Sequence, residues 1–251
     1  MNEIKLKELL PNCEIHYFET IDSTNTFAKK LAKEGRCENT VVIANHQTNG
    51  RGRLGRTFFS PENSGIYLSI IIRPKINLEQ IPLITPATAV AVTNVLIDFA
   101  KIDAKIKWVN DIFVDGKKVC GILTESAVGN NNIPEYVIIG IGINITPSKV
   151  GFPDEIKDIA GVLFEKEAPI DTETLTAKII ESVIKEAEKL PDTAFSKLYR
   201  ERCFILRKEV VLSTGEEAVA ITTDEKCQLT VRLHNGDIKT LATGEISIKL
   251  K

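Results

Sequence analysis

Apolar positions along this 251-residue chain switch between two periods, and the switches lay out its elements. Residues 15–18 form a short run that predicts a first strand. A helix is predicted over 23–34. Asp22, Ser23 and Thr24 are capable N-caps, Phe27 and Leu31 share a face, and Gly35 fits the left-handed position just past a helix end. The aliphatic runs 40–44 and 65–72 predict two more strands. The stretch 81–101, centred on Ala87-Thr88-Ala89-Val90-Ala91-Val92, predicts a helix apolar on most sides and therefore buried. Lys105 to Trp108 opens a third strand system. Residues 112–114 and 119–123 flank Asp115-Gly116, a dipeptide suited to a two-residue hairpin turn, and 136–145 is another strand.

Beyond this point the pattern becomes helical and then short-stranded. Residues 172–190 place Leu175, Ile179, Val183 and Ala187 four apart, and a further helix is predicted over 192–202. Five short strands follow, at 210–213, 218–222, 229–233, 238–242 and 246–250, punctuated by Thr214-Gly215, Asn235-Gly236 and Thr243-Gly244. Such spacing suggests a small barrel, too small to be stable alone and therefore expected to dock on the larger part. The expected division is 1–204 and 205–251. There is no internal repeat and no low-complexity tract.

Composition narrows the class of partner. A net charge of −2 supplies no general basic field for nucleic acid or acidic membranes. The five cysteines (Cys13, Cys37, Cys120, Cys203, Cys227) are odd in number, widely spaced and without paired zinc spacing, which fits free thiols in a reducing compartment. His16, His46 and His234 are equally scattered, against a histidine metal site. The amino terminus lacks a signal-peptide apolar region, and the pattern predicts no apolar run approaching the roughly 20 residues of a membrane span. These features point to a soluble, cytoplasmic protein.

Against that balanced background one segment is locally cationic: Gly50-Arg51-Gly52-Arg53-Leu54-Gly55-Arg56, inside a long connection over 45–64. Glycine permits close backbone approach to a ligand, and guanidinium forks match carboxylate and phosphate oxygens. A connection of this length is usually functional or disordered. Taken alone it reads as a solvated basic turn, an RNA-binding arginine-glycine segment, or a mobile clamp on a small anion. Ser23-Thr24-Asn25 is a helix cap or a polar, uncharged ligand site, and Gln47 is most simply a surface glutamine. Lys107-Trp108-Val109-Asn110-Asp111 gathers a cation, the only tryptophan, an amide and a carboxylate at a strand end. Lys118 follows the hairpin turn. Gly140-x-Gly142 lacks the third glycine of a dinucleotide fingerprint, and there is no P-loop.

Taken together, Ser23-Thr24-Asn25, Gln47 with 50–56, Phe59-Ser60-Pro61, Lys107-Trp108-x-Asn110-Asp111, Lys118-x-x-Gly121-Ile122-Leu123 and Gly140-x-Gly142-Ile143-Asn144 resemble the biotin protein ligases. Gly244-Glu245-Ile246-Ser247 resembles that family's carboxy-terminal SH3-like barrel. The resemblance implies an α+β fold: a mixed β-sheet catalytic domain packed with helices (the class II synthetase-like biotin/lipoate ligase fold), followed by a small SH3-like barrel. It also implies a reaction in which biotin and Mg-ATP form biotinyl-5′-AMP, whose biotin is then passed to a lysine of a biotin carboxyl carrier domain.

The resemblance carries roles with it. Ser23, Thr24, Asn25 and Gln47 would hold the ring end of biotin. Arg51, Gly52 and Arg53 would lie on a loop closing over biotin and adenylate. Lys118 would take the leading electrostatic role beside the biotin carboxylate and α-phosphate, with Arg53 as the other catalytic group. Arg56, Phe58, Lys107, Asn110 and Asn144 would line the nucleotide, and Asp111 would help hold Mg²⁺. No nucleophilic side chain is required, since the carboxylate and the carrier lysine make both attacks. The chain departs from the family pattern at Val109, often Pro, and at Phe58, often Trp.

Only a short amphipathic start and a strand precede the Ser-Thr-Asn motif. This predicts no helix-turn-helix unit, no operator binding and no repressor activity. A sheet edge could pair two copies into a homodimer. Two rivals remain: a related ligase acting on lipoate, and a non-catalytic protein that senses biotin or contacts RNA.

Overall fold

The computed structural model describes residues 1–129, 131–242 and 246–248. Seven strands make one sheet: β1 (Glu14–Ile21), β2 (Thr40–Gln47), β3 (Gly65–Ile72), β4 (Lys105–Lys107), β5 (Asp111–Val114), β6 (Lys117–Val128) and β7 (Pro134–Asn144). Their order is β1-β2-β3-β7-β6-β5-β4; β1 and β2 are parallel and all other neighbours antiparallel. The mixed sheet with packed helices agrees with the expected α+β class. Asp115 and Gly116 both have positive φ, 48° and 76°, as a hairpin turn between β5 and β6 requires.

Among the described residues five α-helices pack on this sheet: α1 (Glu3–Leu9), α2 (Thr24–Lys33), α3 (Ile84–Asp98), α4 (Thr172–Glu188) and α5 (Phe195–Arg202). Helix α2 ends as its sequence foretells. Ser23 Oγ accepts from Thr26 N at its start, and Arg36 N donates to Leu31 O around a left-handed Gly35 at its end. It covers one part of one sheet face through Ala28, Leu31 and Ala32 against Val42, Ile71 and Ile138. On the opposite face α3 and α4 bury the main core, including Ile66, Leu68, Ile70, Ile139, Ile141 and Ile143.

Three expectations need correction. The helix expected over 81–101 is a 3₁₀ segment, Leu78–Leu83, followed by α3. Pro82 lies in the 3₁₀ piece and Pro86 in the first turn of α3, where a missing N–H costs nothing. At the other end Lys101 has φ 59° and lies outside the helix. Second, the 21-residue stretch Leu78–Asp98 does have the length and apolarity of a membrane span. Most of it is spent on the core, where Ile84, Ala87, Ala89, Val90, Ala91, Val92 and Leu96 are at most 1% exposed. Third, the arginine segment is folded on itself: Arg51 bridges Thr57, Gly52 N donates to Arg56 O at 2.7 Å, and a 3₁₀ turn spans Arg53–Gly55.

The carboxy-terminal strands β8 (Glu209–Leu212), β9 (Glu217–Thr223), β10 (Leu229–Leu233), β11 (Ile238–Leu241) and β12 (Ile246–Ile248) form a second antiparallel sheet, ordered β11-β10-β9-β8-β12. This matches the five expected strands and is consistent with an SH3-like unit. Thr243, Gly244, Glu245, Lys249 and Leu250, part of the expected motif and last strand, lie outside the described residues. The sheet docks as expected. Val210, Leu229 and Val231 share the main core, and Trp108 Nε1 donates to Cys227 O at 2.9 Å.

Candidate functional site

One cleft of about 340 Å³ opens on the part of α2's own sheet face that the helix leaves uncovered. It is lined by every residue singled out from the sequence as a site residue: Ser23, Thr24, Asn25, Gln47, Arg51, Gly52, Arg53, Arg56, Phe58, Lys107, Asn110, Asp111, Lys118 and Asn144. They come from five strands or their ends, one helix start and one loop.

The first end of the cleft is polar and uncharged, with every group oriented by a neighbour. Gln47 Oε1 accepts from Thr24 N at 2.8 Å and Thr24 Oγ1 at 3.1 Å, while Gln47 Nε2 donates to Ser60 Oγ at 2.9 Å. Asn25 Oδ1 accepts from Ser69 Oγ at 2.6 Å, and Asn25 Nδ2 donates to Glu125 Oε2 at 3.0 Å. These contacts fix both amides, so the remaining N–H of Asn25 has a defined direction. Ser23, Thr24 and Asn25 are at most 4% exposed, and Ser69 is fully buried. Buried polar groups of this kind are worth their desolvation only when partnered, and here they are.

The floor is glycine. Gly121 pairs with Gly142 and Gly140 with Ser69 across the sheet. A Cβ at Gly140 would come within 2.1 Å of Asn25 Oδ1, and one at Gly142 within 2.4 Å of Phe58 Cε1. The glycines that form no dinucleotide fingerprint therefore serve to seat an amide and an aromatic ring.

The second end is cationic. Lys118 belongs here because of a bulge. The β5–β6 register slips between Ile112 and Phe113, so Val119 and Cys120 are both buried and strict alternation is broken. Lys118 Nζ then lies 2.7 Å from Asp111 Oδ1. That oxygen is buried, and the ammonium meets it as an ion pair outside hydrogen-bond geometry. Arg53 Nη1 donates to Asn110 Oδ1 at 2.9 Å, Arg51 Nη1 to Glu125 Oε2 at 3.1 Å, and Lys107 Nζ lies 5.7 Å from the Phe113 ring centre. Asn144 Nδ2 donates to Gly161 O, and Lys118 pairs through its backbone with Ile159 and Gly161, so 159–161 forms one wall. The Trp108–Val109 peptide, where family members often carry Pro, is cis.

Among the described residues no three His, Cys, Asp or Glu side chains gather as a metal cage. One carboxylate beside amides suits a Mg²⁺ that arrives with phosphate ligands of its own. The sequence reading missed Ser69 and Glu125, and it gave Ser60, quoted in a motif, no role of its own. Ser69 had a signal, the one serine inside an otherwise apolar strand. Glu125 did not, since it lies past the end expected for its strand.

Comparison with known proteins agrees with this geometry. Residues 17–144 match the model of the biotin/lipoate A/B protein ligase family. The bifunctional ligase/repressor BirA of Bacillus subtilis is 44% identical over 144 residues, covering 57% of this chain and 44% of that protein; the chain thus spans less than half of that relative's length. The bifunctional ligase/repressor BirA of Escherichia coli is 30% identical over 241 residues, covering 91% of this chain and 72% of that protein. Among solved structures, a biotin protein ligase from Aquifex aeolicus in complex with biotin and ATP superimposes with a TM-score of 0.76 at 28% identity, covering 95% of this chain and 99% of that one.

Proposed function

Because the chain belongs to the biotin/lipoate A/B protein ligase family, we propose that it is a biotin–protein ligase. Its substrates are biotin and ATP, and its acceptor is a lysine on a biotin carboxyl carrier domain. In the first step a carboxylate oxygen of biotin attacks the α-phosphorus. The bond to the β-phosphate breaks and pyrophosphate leaves, giving biotinyl-5′-AMP. In the second step the carrier amine attacks the acyl carbon, AMP leaves, and an amide forms.

The observation that carries this reading is that a neutral polar end and a cationic end share one cleft. Thr24, Asn25 and Gln47 offer oriented donors and acceptors to an uncharged ring with polar atoms. Lys118, Arg51 and Arg53 stand where a carboxylate and a phosphate must approach each other. Cations fixed in a partly dried site offset that repulsion most where charge develops, in the transition state. Phe58 supplies an aromatic wall. A cavity of this size also falls in the range of small-molecule sites.

Asp111, with the amide oxygens near it, would hold a Mg²⁺ that enters with the triphosphate; the ion would neutralise phosphate charge. Lys118, Arg53 and Arg51 already have acidic or amide partners in Asp111, Asn110 and Glu125, and the ligand anions would take these partners' places. The arginine loop lies across the cleft and would retain the reactive mixed anhydride against water.

The test is incubation of the purified chain with biotin, Mg-ATP and a carrier domain, read by intact mass of the carrier. A mass gain of one biotin, dependent on ATP, is expected. A gain with lipoate and none with biotin would move the assignment to the other branch of the family.

A further inference from the structure

Among the described residues Glu125 is a carboxylate that touches both ends of the machinery, and it does so with one oxygen. Its Oε2 accepts from Asn25 Nδ2 at 3.0 Å and from Arg51 Nη1 at 3.1 Å. Its side chain is 19% exposed, and it sits on the same sheet face as Gly121 and Leu123, one step below the cleft. A carboxylate beside a site for anions is electrostatically costly, so its presence needs a compensating role. The two hydrogen bonds supply one.

We propose that Glu125 is a positioning residue that orders the ring-binding amide of Asn25 and the loop guanidinium of Arg51 through a single shared oxygen. The inference rests on the ligase reading above. Asn25 is held at its other end by Ser69, so losing Glu125 frees the amide to rotate about one remaining contact. Arg51, 42% exposed in its side chain, has Glu125 as its anchor on the sheet. Without the carboxylate, the floor and the loop lose their common reference point.

The two contacts separate chemically. Glutamine presents a carbonyl oxygen that can accept from Asn25, but it carries no charge for Arg51. The experiment compares the wild-type chain with Glu125→Ala and Glu125→Gln in biotin-dependent pyrophosphate–ATP exchange. It also follows release of preformed biotinyl-5′-AMP, with the melting temperature of each variant as a control.

Glu125→Ala should raise the biotin KM by about tenfold or more, the scale of a lost charge-assisted hydrogen bond, with a smaller change in kcat. Adenylate should escape faster. Glu125→Gln should bring KM back to within about threefold of wild type while adenylate escape stays fast, since only the charge is missing. The idea is overturned if Glu125→Ala leaves KM and release unchanged, or if Glu125→Gln is as impaired in KM as the alanine variant. A variant that does not fold leaves the glutamine comparison to decide. A wild-type chain without biotin-dependent exchange would instead overturn the ligase reading.

Discussion

Lys118 and Asp111 form an ion pair across the β5–β6 hairpin, Nζ to Oδ1 at 2.7 Å, inside the cleft. The pair places the ammonium at the cationic end while giving it a partner before any ligand arrives. When two anions enter, the ammonium can turn from one carboxylate to theirs. Lys118→Ala should therefore lower the rate of adenylate formation by roughly two to three orders of magnitude, the typical cost of one preorganised charge-stabilising group. Biotin affinity should fall much less, because the ring contacts proposed for Thr24, Asn25 and Gln47 would remain. Single-turnover kinetics with a separate binding titration checks both halves; an unchanged rate would remove Lys118 from the chemistry.

Gly140 makes a second prediction, about space. A methyl group at this position would sit 2.1 Å from Asn25 Oδ1, closer than any real contact. The amide must move, and with it the bonds to Ser69 and Glu125. Gly140→Ala should weaken biotin binding at least about tenfold and cost about 1–3 kcal/mol of stability through overpacking. Calorimetric titration and chemical denaturation measure the two effects. Wild-type affinity in a folded variant would show that Asn25 is not part of the ring site.

Much of this was legible before any coordinates. The cap at Ser23, the left-handed Gly35 and the Asp115-Gly116 turn follow from local chemistry, because each depends on the residue's own side chain and φ. The residues that line the cleft were legible as a set of motifs. What stayed hidden depends on distant partners. Periodicity does not reveal that β7 inserts between β3 and β6, or that a bulge beside Ile112 re-aims Lys118. Glu125 was missed because β6 runs on to Val128, held there by pairing with β7 rather than by its own pattern. The start of α3 was misjudged because the apolar pattern does not show that the chain enters the helix through a 3₁₀ segment containing Pro82.

Trp108 links the two sheets. It is 3% exposed and its indole N–H reaches the Cys227 carbonyl at 2.9 Å. Trp108→Phe should keep most of the packing and remove that donor, leaving the carbonyl without it. The expected loss is about 1–3 kcal/mol in chemical denaturation, the cost of an unpaired buried group. If the carboxy-terminal strands depend on this anchor, limited proteolysis of the variant should cut first beyond Cys203. A variant as stable and as resistant as wild type would mean that side-chain packing alone joins the sheets.

The last prediction concerns acid. Asp171 caps α4, accepting from Thr174 N at 2.8 Å, and pairs with Lys5 of α1, so it ties the amino terminus to the helical layer. The Lys5 ammonium, then the Thr174 hydroxyl, hold its carboxyl down to about 2 from an ordinary value of 3.8. A group whose folded pKa is depressed adds stability above its unfolded pKa and loses it as pH falls toward the folded value. The contribution should thus be complete above pH 4 and fade between pH 4 and about 2. Asp171→Asn keeps a capping oxygen but cannot titrate, so the stability gap between wild type and variant should narrow steadily across that window. Denaturation midpoints at pH 6, 4, 3 and 2 measure it, and a gap that stays constant to pH 2 would remove Asp171 from the acid response.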